Sequence, residues 1–160
     1  MPENHQLDLD RYVPALLTFL TNKLSSGASA CYRTHFGIGV VEWRVLSMLG
    51  VEDRITANRV CQVVGLDKSA VSRALQVLEK DGYVASQVDE KDARRYSVSL
   101  TAKGRDLHER VLVAALERER RLLADFSASE VDLLIDLLTR MHGQVEYTNA
   151  FVPGEGQSGQ

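Results

Sequence analysis

The stretch Thr56–Thr101, TANRVCQVVGLDKSAVSRALQVLEKDGYVASQVDEKDARRYSVSLT, reads as helix, tight turn, helix and then a two-stranded hairpin with a basic tip. Its second helix sorts residues onto two faces. Val71, Ala74, Leu75 and Leu78 recur at i, i+3, i+4, i+7 and must face a core. Lys68, Ser69, Ser72, Arg73 and Gln76 share the opposite side. That outer side carries hydrogen-bond donors and small hydroxyls, with no acid and no large apolar group. A duplex major groove asks for such a face, because phosphates and base-edge acceptors repel carboxylates and reward donors.

Working outward, Thr56 and Asp67 are placed to cap the two helices, and Gly65 supplies the turn between them. Gly82 is placed to stop the second helix in a left-handed conformation. Tyr83–Val88 and Tyr96–Leu100 alternate as strands around the charged tip Asp89–Arg95. Ile55 is expected to pair briefly with the hairpin. Upstream, Leu9, Val13, Leu16, Leu17, Leu20 and Leu24 have helical spacing, with Pro14 near the helix start, and the pattern runs to about His35. Val40–Leu49 is a short second helix that Gly50 is expected to close. Downstream, Leu107 to Leu123 form a long helix from Thr101 to about Phe126. Ser127 and Glu130 form a capping box for a last helix continuing through Val145. GEGQSGQ at the end is expected to be disordered.

The whole chain has 160 residues, 44% of them apolar, which suffices for a buried core. The net charge of −3 is unevenly spread. Between Arg54 and Arg105 there are 10 Lys/Arg against 6 Asp/Glu, a balance of +4, leaving −7 for the remainder. Positive charge thus gathers on the hairpin and the two-faced helix. No apolar run reaches membrane-spanning length, and the N-terminus lacks a signal-peptide pattern. Cys31 and Cys61 make neither a disulfide framework nor a metal cluster, so a cytoplasmic protein with reduced thiols is expected. His5, His35, His108 and His142 show no metal-ligand spacing, and no catalytic constellation or cofactor motif appears. The sequence therefore predicts no enzyme, no metal and no cofactor.

EWRVLSMLG at 42–50, VGLDKSAVSRALQVLEKDGYV at 64–84 and DARRYSVSLTAKG at 92–104 together resemble the MarR family of winged helix-turn-helix regulators. Arg59, where the family often carries an acid, and Cys61, at a usual alanine, depart from its pattern. The resemblance implies a mainly α fold with a small β-hairpin wing, its helical dimerisation lobe built from the N- and C-terminal helices. The expected division is 1–39 for the first helix of that lobe, 40–104 for the winged lobe, 105–148 for the C-terminal dimerisation helices and 149–160 for the tail.

It implies a homodimer on a palindromic double-stranded operator, and a repressor released by a small ligand or by oxidation. Ser69, Ser72, Arg73 and Gln76 would then enter the major groove, with Lys68 near phosphates. Arg94 would reach the minor groove, Arg95 would assist on the backbone, and Asp92 would brace Arg94. The family's ligand site, at the junction of the lobes, would draw here on Ser29, Tyr32, Arg33, His35, Trp43 and Arg44, a set suited to an aromatic or phenolic acid. Against this, Trp43 reads as plain core, and Arg44 equally as a surface charge or structural ion pair. Cys61 reads as an inert core thiol, and Cys31 leaves a thiol-oxidation sensor as an alternative. A winged helix that docks an acidic protein without DNA specificity is the other.

Overall fold

The structure is a computed structural model, and it describes residues 6–88 and 96–153. The elements in chain order are α1 (Val13–Phe36), α2 (Val40–Val51), α3 (Ala57–Val64), α4 (Lys68–Lys80), β1 (Val84–Val88), β2 (Tyr96–Leu100), α5 (Ala102–Leu122), α6 (Ala128–Gly143) and α7 (Val145–Asn149). This is the expected mainly α fold with a two-stranded antiparallel hairpin. The chain divides into two compact units, Met1–Ala115 and Leu116–Gln160.

In the first unit the core gathers around α2 and α4. Val45, Leu46, Val60, Val71, Leu78, Val98, Leu107 and Val111 lose essentially all contact with solvent. Each such side chain contributes on the order of 1.5–3 kcal/mol relative to exposure, so this cluster dominates the unit's stability. The hairpin register runs from Val84 opposite Leu100 to Val88 opposite Tyr96. Ile55 exchanges two backbone hydrogen bonds with Val98, at 3.2 and 2.8 Å, adding one residue to the sheet edge. The Ala28 and Tyr32 side chains near the end of α1 join this same core.

Gly50 does not close α2, which continues to Val51. Its lack of a side chain serves packing instead. A Cβ there would drive into the imidazole of His108 on α5, whose ring stacks on Trp43 at 5.5 Å. Gly104 is tighter still, with its α-carbon set directly against the Tyr83 carbonyl. The long helix ends at Leu122, before Phe126, and the last helical stretch is interrupted. α6 stops at Gly143, and the Gln144 amide turns back to the Met141 carbonyl at 3.0 Å before α7 begins. The Ser127 box forms as expected, the Ser127 amide donating to Glu130 Oε2 at 2.8 Å and the Glu130 amide to Ser127 Oγ at 3.3 Å.

The two tight glycines differ in what a methyl would meet. Gly104→Ala must displace backbone, whereas Gly50→Ala displaces a side chain that can rotate. Chemical denaturation should show Gly104→Ala costing about 1–3 kcal/mol, in the range of an overpacked core, and Gly50→Ala less. Equal costs, or a larger one at Gly50, would contradict this packing.

Candidate nucleic-acid interface

The helix-turn-helix is built from local capping. Thr56 Oγ1 accepts from the Arg59 amide at 3.2 Å and starts α3. Gly65, at φ 67°, ends it in the left-handed region that a side chain resists. Asp67 then caps α4, its Oδ1 accepting from the Ala70 amide at 2.8 Å. With Val71 and Leu78 at 0% and Ala74 at 2% exposure, the rotation of α4 is decided from inside. Lys68, Ser69, Ser72, Arg73 and Gln76 are all exposed, so the structure places the five on one open surface.

A short network ties the start of that surface together. The Ser69 hydroxyl donates to Asp67 Oδ1, and Arg73 Nη1 donates to Ser69 Oγ at 3.3 Å. The Ser69 hydroxyl, followed by the Ala70 amide, holds the Asp67 carboxyl below its ordinary pKa. Arg59, at the family's usual acidic position, is also engaged. Its guanidinium makes a two-pronged ion pair with Glu52, at 3.1 and 2.8 Å, which lowers the Glu52 pKa. Asp92, Arg94 and Arg95 lie outside the described residues. β1 and β2 lead to them in register, ending at Val88 opposite Tyr96.

The six residues named for a ligand lie on the second half of α1 and the first turns of α2. Tyr32 is buried, its ring 6.0 Å from Trp43 in an edge arrangement and 6.4 Å from Phe36. Trp43 and Ser29 are half-buried, while Arg33 and His35 are exposed. Arg44 is half-buried as well. Its Nη2 donates to Ser25 Oγ at 3.0 Å, and it lines a cavity of about 490 Å³ with Ser47, Met48, Val51, Glu52, Val63 and Val64. Cys31 and Cys61 are free thiols packed partly against the core. Among the described residues no group of three His, Cys, Asp or Glu could hold a metal ion. No described helix is long and apolar enough to cross a membrane.

Sequence reasoning left out Lys103. Its amine donates to the Asp81 carbonyl at 2.7 Å and sits 4.6 Å from the centre of the Tyr83 ring. The hairpin register was the available signal, since extending it by one residue sets Tyr83 opposite Thr101 and brings Lys103 under the end of α4.

This arrangement has close counterparts. A sequence model of the MarR family matches residues 36–95. The crystal structure of a MarR/EmrR family transcriptional regulator from Acinetobacter sp. ADP1 is 35% identical, with a TM-score of 0.83 over 88% of this chain and 99% of that one. The chain belongs to the MarR family. YdgJ of Bacillus subtilis, an uncharacterized HTH-type transcriptional regulator, is 35% identical over 117 residues, 71% of this MarR chain and 70% of YdgJ. MepR of S. aureus, in a complex with DNA, shares the fold at 23% identity, with a TM-score of 0.72 over 82% of this chain and 95% of MepR. The Acinetobacter and Bacillus relatives are transcriptional regulators, and this MarR protein is a helix-turn-helix transcription regulator.

The Asp67 cap gives a pH test of the interface. Its folded pKa is depressed, so its stabilisation is complete above the unfolded value of about 3.9 and fades as pH falls through the lower folded value. The Asp67→Asn variant keeps a capping side chain that does not titrate. Denaturation from pH 6 to pH 3 should therefore show the wild-type advantage over Asp67→Asn shrinking in acid. A constant difference would contradict the assigned network.

Proposed function

We propose that this MarR protein is a homodimeric, sequence-specific DNA-binding repressor, released by a small aromatic or phenolic acid. The observation that carries the reading is the outer face of α4, where Lys68, Ser69, Ser72, Arg73 and Gln76 all stand exposed and the adjoining Asp67 carboxylate is engaged by the Ser69 hydroxyl. Arg73 is suited to a guanine edge, and Ser69, Ser72 and Gln76 to neighbouring bases. Lys68, at the helix start, is suited to phosphate. Arg94 is assigned to the minor groove and Arg95 to the backbone, with Asp92 bracing Arg94.

The dimer is supported by apolar surface left unspent. On α1, Leu16, Leu17 and Leu20 are 37–50% exposed, and on α6, Leu134, Leu138 and Met141 are 37–41% exposed. Stripes of this kind are costly in a monomer and suit a partner helix. The division into a winged lobe at 40–104, flanked by dimerisation helices at 1–39 and 105–148, belongs to the same proposal. A two-fold dimer would set two copies of α4 one turn apart on a palindrome, about 34–36 Å.

For the effector, the cavity between α2 and α3 supplies a cation against apolar walls from Met48, Val51, Val63 and Val64. Glu52 on the same wall is already neutralised by Arg59. A planar carboxylate seated on Arg44 would wedge α3 away from α2 and shift α4 with it. Release then requires only that the acid favour the shifted arrangement.

Fluorescence anisotropy on the DNA flanking its own gene, titrated at several salt concentrations, tests the whole. Tight binding over random DNA with a steep salt slope is expected. No preference over random DNA would replace the reading with a protein-docking module. Arg73→Ala should weaken operator binding by about ten- to a hundredfold, the loss of one base-reading side chain, without lowering the melting temperature. Arg44→Ala should leave DNA binding intact and weaken release by aromatic acids about tenfold or more, as for a lost charged hydrogen bond. Unfolding in the first variant or an unchanged response in the second would contradict these assignments.

A further inference from the structure

Three consecutive carbonyls in the turn that follows α4 each receive a hydrogen bond from the start of α5. Lys103 Nζ donates to the Asp81 carbonyl at 2.7 Å, Thr101 Oγ1 to that of Gly82 at 2.7 Å, and the Thr101 amide to that of Tyr83 at 3.0 Å. Thr101 Oγ1 also accepts from the Gly104 amide at 3.0 Å, so one hydroxyl ties the turn after α4 to the first turn of α5. Gly104 lies against the Tyr83 carbonyl without room for a methyl, and the Lys103 ammonium stands over the Tyr83 ring.

The amides of Asp81, Gly82 and Tyr83 turn back to the Val77, Glu79 and Leu78 carbonyls and end α4, which leaves the carbonyls of the turn itself to other partners. Here the partners are residues of one other helix, and the ammonium also meets the negative end of the α4 dipole. We propose that Thr101, Lys103 and Gly104 are positioning residues that make α4 and α5 a single rigid elbow, so that the direction of α5 dictates where α4 lies on DNA. α5 has 21 residues, about 30 Å of helix, and runs past Ala115 into the second unit. A change in the direction of α5 within the first unit becomes a displacement of α4 that costs its groove contacts.

The inference rests on the dimeric DNA-binding reading, and its test separates the two. One base pair inserted between half-sites moves the second by about 3.4 Å and rotates it by about 34°. The full-length protein is titrated onto its operator and onto versions with one base pair added or removed. With a rigid elbow the wild type loses about tenfold or more on the altered spacings, the equivalent of a lost base contact.

Lys103→Met, which keeps the stem but not the charge, should compress that discrimination to within about threefold without lowering the melting temperature, and Lys103→Arg should restore it. Thr101→Val, which keeps the amide and loses the hydroxyl, should compress it too, and it stands in should Lys103→Met fail to fold. Discrimination retained in the variants overturns the elbow. So does Lys103→Met weakening every spacing equally with a salt slope reduced by about one, which would make Lys103 a phosphate contact. A wild type that does not bind the operator overturns the DNA reading itself, and the elbow with it.

Discussion

Helix α4 has one apolar seam, and the rest of the winged unit depends on that seam being sealed. Val71, Ala74 and Leu78 face α2, α3 and β1 and are closed to water. A rotation of α4 by one residue position would expose Val71 and Leu78 and bury Arg73 or Ser72, losing several kcal/mol on each count. The outer face is therefore specified by the inner one. Whatever Ser69, Ser72, Arg73 and Gln76 do, they do it from an orientation that the core enforces.

The ends of α4 are held as firmly as its side. Asp67 satisfies the amides of the first turn, and the start of α5 satisfies the carbonyls beyond the last. Behind it, α2 works as a platform in contact with α1, α3, α4 and β2. Its two open sides carry different chemistry. Toward His108, Trp43 and Gly50 form a close ring-on-backbone contact. Toward α3, Arg44 faces a cavity with apolar walls. A helix so placed is well suited to turn an event in the cavity into a shift of the reading head, the physical content of the effector proposal.

Much of this is legible in the sequence because the signals are local. Thr56, Asp67 and Ser127 announce helix starts through side chains that serve amides two or three residues away. The two faces of α4 follow from spacing alone, as does the hairpin. What is not legible depends on contacts distant in sequence. Gly50 reads as a helix stop, and only the arrival of His108 from α5 explains a glycine inside α2. Lys103 draws no reading from the sequence, because its partner carbonyl is 22 residues away. Trp43 and Arg44 are neighbours in sequence, yet adjacent helical residues point about 100° apart: the Trp43 ring stands against Tyr32 and His108, while the Arg44 guanidinium donates to Ser25 on α1 and lines the cavity beside α3.

A hydroxyl-radical footprint of the full-length protein on the DNA flanking its own gene tests the central claim most directly. Two copies of α4 held at a fixed separation should protect two short segments on one face of the duplex, centred about 34–36 Å apart, one helical turn. Uniform weak protection along the fragment, or none, would contradict the claim that this face reads DNA sequence.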